Sequence, residues 1–240
     1  DLKEGDKIAT LVSLSLTPLR IDKIKEIRPD VDQVDIDGKA ILFESGIYAK
    51  IPTDLPEKLA LSALDVAGAP AQTAKLVKPG DTVLIIGAGG KSGMLCCYEA
   101  MKRAGVTGKV IGLCHSQKSA DRLKTLGFCH TVFTADATQP VPVMEKISEL
   151  TGGQMCDVTI NNVNIPDTEM TSILCTKNDG VVYFFSMATS FTKAALGAEG
   201  VGSDVTMIVG NGYTKGHAEI TLQELRENEA LRKIFTDLYA

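Results

Sequence analysis

The stretch Val83-Leu-Ile-Ile-Gly87-Ala-Gly89-Gly90-Lys91-Ser92-Gly93 constrains this chain more than any other. A short apolar β run ends in a cluster of glycines, and residues 93–104 then read as a helix. Glycines between a strand and a helix let the backbone turn tightly and come close to a pyrophosphate. The helix start adds unpaired N–H groups and the positive end of its dipole. Serine at position 92 breaks a strict G-x-G-x-x-G, and the spacing is G-x-x-G-x-x-G through Gly87, Gly90 and Gly93. A tight turn that binds no nucleotide uses the same residues, so the loop needs its context. Gly90-Lys91-Ser92 also imitates the end of a phosphate-binding P-loop, G-x-x-x-x-G-K-[ST]. That motif requires glycine at position 85, which is Ile85 inside the strand, and this disfavours an ATPase.

The context is a rhythm of strands and helices. Apolar runs at 82–86, 109–113, 131–133, 157–161, 181–185 and 205–209 alternate with helical segments at 93–104, 119–126, 143–150 and 167–176. Continuous apolar strands joined by crossover helices predict a parallel sheet covered on both faces. The fold class is therefore α/β, a doubly wound, six-stranded Rossmann sheet. The front of the chain differs. Residues 7–16 alternate weakly, Asp37-Gly38 suggests a hairpin turn within 31–43, and 47–51 forms a short strand stopped by Pro52. This front is too small to close a sheet by itself, so the chain is expected to be incomplete as an enzyme. After Asn211 the chain ends in one long helix, about 218–238.

Composition narrows the function classes. With 240 residues, 44% apolar and 23% charged, the chain can bury a core without staples. A formal net charge of −5 leaves no electrostatic footprint for nucleic acid. No apolar run approaches a membrane span, and no basic n-region or apolar h-region marks a secretory signal. The six cysteines form no C-x-x-C pair, and reduced thiols in a cytoplasmic protein are expected. Two Cys-His pairs, Cys114-His115 and Cys129-His130, invite a zinc reading. They sit at opposite ends of neighbouring strands, about 17 Å apart for five-residue parallel strands. Zinc holds its ligands at about 2 Å, so a shared site fails.

Candidate site residues cluster at the carboxyl ends of strands, where ligands bind in doubly wound sheets. Gly87, Gly90, Lys91, Ser92 and Gly93 form the pyrophosphate loop. A carboxylate after the second strand would hold the ribose 2′-hydroxyl of NAD. The residues there are Cys114-His115-Ser116-Gln117-Lys118. His115, Ser116 and Lys118 suit a 2′-phosphate, which favours NADP or tolerance of both cofactors; a merely solvated loop is the alternative. Asn161, Ser186 and Asn211 follow the fourth, fifth and sixth strands and complete the cofactor-binding set. The loop Gly210-Asn-Gly-Tyr-Thr-Lys-Gly-His217 brings an amide, a phenol, an ammonium and an imidazole together. It is expected to line a substrate pocket near the nicotinamide. Asp65, an acid within Ala63-Leu-Asp-Val-Ala67, is either a helix cap or a site residue.

Several stretches carry a family resemblance. Gly5-Asp-Lys-Ile8, Gly46-Ile-Tyr-Ala-Lys-Ile-Pro52 and Val77-Lys-Pro-Gly-Asp-Thr-Val-Leu-Ile-Ile-Gly87 resemble the medium-chain dehydrogenase/reductase superfamily. Thr10 to Arg20, Ala40 to Lys50, Asp65 to Lys75, Phe184 to Phe191 and Gly210 to Glu219 are similar to its L-erythro-3,5-diaminohexanoate dehydrogenase family. The resemblance implies that residues 1–58 are the remainder of a GroES-like catalytic domain. Residues 59–215 would be the Rossmann domain, and 216–240 a C-terminal helix returning toward the catalytic domain. It implies oxidative deamination of (3S,5S)-3,5-diaminohexanoate to 5-amino-3-oxohexanoate and ammonia, with NAD usual in that family. Asp65 matches the position of a third zinc ligand in zinc alcohol dehydrogenases. No metal ligand is assigned, because hydride removal from an amine carbon needs a base more than a Lewis acid. Lys215, His217 and Asp65 are the candidate catalytic groups. Arg20, Glu44 and Tyr213 are the candidate substrate contacts, with Arg20 or Lys215 for the carboxylate and Glu44 or Asp65 for the distal ammonium. The expected partners are a small diamino acid and a second copy of the chain in a homodimer, with no nucleic acid and no membrane. A quinone or enoyl reductase of the same superfamily and a non-catalytic dinucleotide-sensing module are the alternatives.

Overall fold

The computed structural model describes residues 2–10, 17–210 and 213–240. The chain divides into two compact units, Asp1–Asp65 with Leu225–Ala240, and Val66–Glu224.

The larger unit is built on six parallel strands: β5 (Thr82–Ile86), β6 (Lys109–Cys114), β7 (Thr131–Thr134), β8 (Cys156–Asn161), β9 (Thr176–Phe184) and β10 (Thr206–Val209). Their order across the sheet is β10-β9-β8-β5-β6-β7. The chain moves outward from β5 in one direction and then, from β8, in the other. The order therefore reverses beside β5, and the crevice at its carboxyl end is where such sheets bind ligands. Val83, Leu84, Ile85 and Ile86 are fully buried, as a strand covered on both faces must be. Helices α2 (Gly68–Leu76), α3 (Lys91–Ala104), α4 (Gln117–Leu126), α5 (Pro140–Thr151), α6 (Glu169–Leu174) and α7 (Phe191–Val201) belong to this unit. Helix α8 (His217–Glu227) starts in it.

Boundaries moved where local chemistry competes with periodicity. Helix α5 starts three residues before the expected 143, because Pro140 and Pro142 fit a first turn whose N–H groups have no helical partner anyway. Helix α6 is only six residues long, and β9 begins at Thr176 rather than 181. The single C-terminal helix is instead two: Asn228 interrupts it and caps α9 (Glu229–Tyr239), its Oδ1 accepting from Leu231 N–H at 2.9 Å.

The smaller unit holds α1 (Glu57–Leu64), α9 and two two-stranded ladders. Strand β1 (Ile8–Thr10) pairs antiparallel with β4 (Tyr48–Lys50). The rest of the weakly alternating 7–16 segment lies outside the described residues. The second ladder is a hairpin of β2 (Leu19–Arg28) and β3 (Gln33–Ala40). Its turn corrects the Asp37-Gly38 expectation: the chain reverses through Pro29–Val31, and Asp32 closes the turn at φ 54°. Gly38 lies inside β3 opposite Ile21, next to a register shift. A Cβ there would stand 2.4 Å from the Arg20 carbonyl oxygen, so this glycine marks an irregular strand rather than a turn.

Candidate dinucleotide site and a basic hollow

The glycine loop follows β5 and is anchored by backbone. Gly87 and Ala88 N–H both donate to the Leu113 carbonyl at 3.0 Å, and Gly90 N–H donates to Gly87 O at 3.0 Å. The three loop glycines of the motif are required for different reasons. Gly87 turns at φ +80°, and a Cβ there would meet Val163 Cγ2 at 2.9 Å. A Cβ on Gly93 would stand 2.1 Å from Gly87 O, so this glycine lets α3 pack directly on the loop. Gly90 is exposed, and a Cβ on it would meet only Gly87 O, at 3.3 Å. Space within the protein hardly restricts Gly90; an approaching ligand would. Gly90 precedes α3 with no side-chain cap, so the N–H groups of Lys91, Ser92 and Gly93 lack the carbonyl partners of a helix interior.

Arg122 of α4 joins this loop from behind. Its Nη2 donates to Gly89 O at 2.7 Å, and its Nε is buried without a hydrogen-bond partner. The sequence reading missed it, although it lies one helical turn beyond Ser119, the residue packed against Gly89.

Strand β6 ends on Cys114, a buried thiol whose pKa burial pushes up. A neutral group therefore stands at the end of the second strand. Ser116 is committed to capping α4: its Oγ accepts from Ser119 N–H at 3.3 Å and lies 3.1 Å from Ser119 Oγ. His115 and Lys118 are exposed beside it.

Two of the expected cofactor residues, Asn161 and Ser186, have side chains engaged within the protein. Asn161 is fully buried and faces the interior. Its Nδ2 donates to Thr168 Oγ1 at 2.8 Å and Ser172 Oγ at 3.0 Å, and its Oδ1 accepts from Val163 N–H at 3.0 Å. This amide shapes the loop after β8, with both Nδ2 hydrogens committed to Thr168 and Ser172. Ser186 is buried, and its hydroxyl accepts from Ala188 N–H at 3.0 Å. Asn211 lies outside the described residues.

The loop before α8 lines a hollow of its own. Tyr213, Thr214 and Lys215 line a hollow of about 550 Å³ with Lys75 of α2 and Arg103 of α3. Arg103 is twelve residues along α3 from Lys91, about 18 Å at the helical rise per residue. Lys215 and Tyr213 thus sit at the opposite end of α3 from the glycine loop and not beside it. His217 is buried, with both ring nitrogens lacking a hydrogen-bond partner, and burial lowers its pKa. The Tyr213 ring meets it edge-on at 5.2 Å.

The remaining candidates belong to the smaller unit. Asp65 is exposed at the C-terminal end of α1. Arg20 is exposed on the hairpin, its Nε 2.9 Å from Asp22, which already satisfies its charge. Glu44 is exposed in the turn after β3.

A profile described as L-erythro-3,5-diaminohexanoate dehydrogenase N-terminal domain matches residues 1–52, and one described as zinc-binding dehydrogenase matches 93–201. A protein of Acetoanaerobium sticklandii named L-erythro-3,5-diaminohexanoate dehydrogenase is 67% identical over 239 residues, which is all of this chain and 70% of that protein. The chain belongs to the L-erythro-3,5-diaminohexanoate dehydrogenase family.

A second relative of the same name, from Fusobacterium nucleatum, is 62% identical over all of this chain and 69% of its own length. The fold extends beyond the diaminohexanoate dehydrogenase family. The solved structure of mycobacterial Rv1454c complexed with NADPH has a TM-score of 0.59 at 21% identity, covering 80% of this chain and 64% of that one. The second profile raises the question of zinc in this diaminohexanoate dehydrogenase family member. Among the described residues no three His, Cys, Asp or Glu side chains converge as a metal requires, so the residues present do not fit it. The six cysteines are all free thiols, and none of the described helices is long and apolar enough to cross a membrane.

Proposed function

We propose that this chain carries the dinucleotide-binding part, with a portion of the catalytic part, of an NAD(P)-dependent dehydrogenase. Its substrate would be L-erythro-3,5-diaminohexanoate, oxidised at the carbon bearing the 3-amino group. The observation that carries the reading is the exposed Gly90 at the uncapped start of α3, at the point where the strand order reverses. The substrate comes from the names of relatives that align with the whole chain.

A bound nicotinamide supplies the hydride acceptor. The chain's own residues supply the rest. The N–H groups at the start of α3 would hold the pyrophosphate, and the bare Cα of Gly90 would let it approach. Arg122 holds the Gly89 carbonyl, which orients the loop. The substrate amine must be neutral when its carbon loses hydride. Asp65 is the proposed acceptor of that proton, and its role is tested by Asp65→Asn lowering kcat at least about 10-fold. Hydride loss leaves an iminium, and water converts it to a ketone and ammonia. Cys114 offers no carboxylate to bond a ribose 2′-hydroxyl or repel a 2′-phosphate, so both NAD and NADP are expected to bind.

Residues 1–58 are assigned to the catalytic domain, 59–215 to the dinucleotide domain and 216–240 to a C-terminal return. A cytoplasmic location is proposed from the free thiols, and a homodimer as the assembly. The deciding experiment incubates the full-length protein with the diamino acid and either dinucleotide. Reduced nicotinamide and ammonia are expected in equal amounts. Dinucleotide binding without turnover of any amine would overturn the proposal in favour of a sensing module.

A further inference from the structure

The hollow at the C-terminal end of α3 has the composition of a second binding site. Lys75, Arg103 and Lys215 come from three segments distant in sequence and converge on about 550 Å³ of space. They do so in a chain whose net charge is −5. Among the described residues no carboxylate pairs with Lys75 or Lys215. Arg103 gives its Nε to Glu99 at 2.7 Å and keeps both Nη groups for another acceptor. Glu99 offsets the charge of Arg103 in part, while the ammonium charges of Lys75 and Lys215 beside it are not offset, and their mutual repulsion is relieved when an anion enters.

A buried group adds an independent observation. Gln72 is 3% exposed and forms part of the wall. Its Oε1 accepts from Thr214 Oγ1 at 2.7 Å. Its Nε2 has no acceptor among the described residues. The wall thus offers a guanidinium fork, two ammonium groups and an amide N–H₂. This is a set of donors, and it suits a tetrahedral oxyanion with acceptors on every side.

We propose that this hollow binds a multiply charged phosphoryl anion, either free pyrophosphate or the phosphate of a small ester, separately from the dinucleotide. About 18 Å of α3 lies between it and the glycine loop, so one cofactor's pyrophosphate does not occupy both. An anion bridging Lys75, Arg103 and Lys215 fastens the loop at Tyr213–Lys215 onto α2 and α3, adding to the Thr214–Gln72 bond already there.

Calorimetric titration of the full chain with pyrophosphate tests the site, at constant ionic strength and with saturating NAD to fill the glycine loop. One site per chain is expected. Lys75→Gln and Lys215→Gln, both exposed substitutions that leave the fold intact, are each expected to weaken it at least about 10-fold. Gly90→Val, titrated without NAD, is expected to keep it. Glycerol 3-phosphate in place of pyrophosphate separates the two sources: tighter binding assigns an ester, weaker binding the free ion. No binding in the presence of NAD, or equal binding by wild type and both lysine variants, overturns the proposal. Failure of NAD to bind speaks against the dinucleotide reading alone, because the Gly90→Val titration does not depend on it.

Discussion

The two sites proposed at the ends of α3 are of different kinds. At its start, selectivity for a ligand rests on backbone: N–H groups, a carbonyl held by Arg122, and glycines that clear the way. At its end, three cationic side chains and one amide face a hollow. A backbone site is inflexible, since its donors are fixed by the fold and one added carbon can close it. A side-chain site is adjustable, and loses affinity stepwise as charges are removed. Substitutions should therefore act sharply at one end and gradually at the other.

The sharpest effect is expected at Gly93. Valine there places carbon 2.1 Å from Gly87 O, and the loss of stability should exceed about 3 kcal/mol, enough to leave little folded protein. A soluble Gly93→Val chain with unchanged circular dichroism would break the distinction drawn between the loop's glycines. Gly90→Val comes next. Thermal unfolding should be nearly unchanged, while dinucleotide affinity falls at least about 100-fold, or about 2.7 kcal/mol. Unchanged affinity by calorimetry would mean that the loop is only a turn.

Asn161→Ala sharpens the comparison by removing a buried amide that supports the site without touching ligand. Loss of its three hydrogen bonds should cost roughly 2 kcal/mol and lower Tm by roughly 4–8 °C. Dinucleotide affinity measured well below that Tm should change less than about 3-fold. A collapse in affinity without loss of stability would restore Asn161 as a cofactor contact.

The smallest effect belongs to His217, beside the basic hollow. Burial lowers its pKa below the ordinary 6.5, opposed by the charge of Glu219. The unfolded chain therefore takes up the proton first as pH falls. The contribution of the neutral imidazole is fully present above pH 6.5 and is lost as pH drops below it toward the folded value. Urea unfolding at about pH 7 and about pH 5 should show that loss in the wild type and less of it in His217→Gln. Equal pH dependence in both chains would show that the imidazole is solvated.

The same contrast explains what the sequence made legible. The glycine loop and the six strands are local signals: an apolar run, a turn residue, a helix start. They are legible in neighbouring residues, and the doubly wound class follows from the alternation, whereas the strand order is seen only in the structure. Lys75, Arg103 and Lys215 lie far apart in the chain, and no periodicity links them. Lys215 stands out in the sequence by its dense loop, while its meeting with Lys75 and Arg103 depends on tertiary packing. Asn161 stands at the end of β8, as the strand pattern predicts. Its position three residues beyond Val158 fixes the strand, but the hydroxyls of Thr168 and Ser172 decide where its amide turns. Asp37-Gly38 carried a turn's chemistry, yet Pro29 and Asp32 made the turn and Gly38 served a strand irregularity.

The division of the chain also sets a timetable for its synthesis. The smaller unit begins at the front but includes Leu225–Ala240, where α9 buries Leu231 and Phe235 and packs against α1. From Asp65 to Leu225 is 225 − 65 = 160 residues. At about 5–20 residues per second the ribosome needs roughly 8–32 s to cross that interval. Throughout it, the larger unit is itself being made while the front segment waits for its last helix. The β2 and β3 hairpin, with Ile21, Ile24 and Ile27 more than half exposed even in the finished fold, is then at its most vulnerable to pairing with another nascent chain.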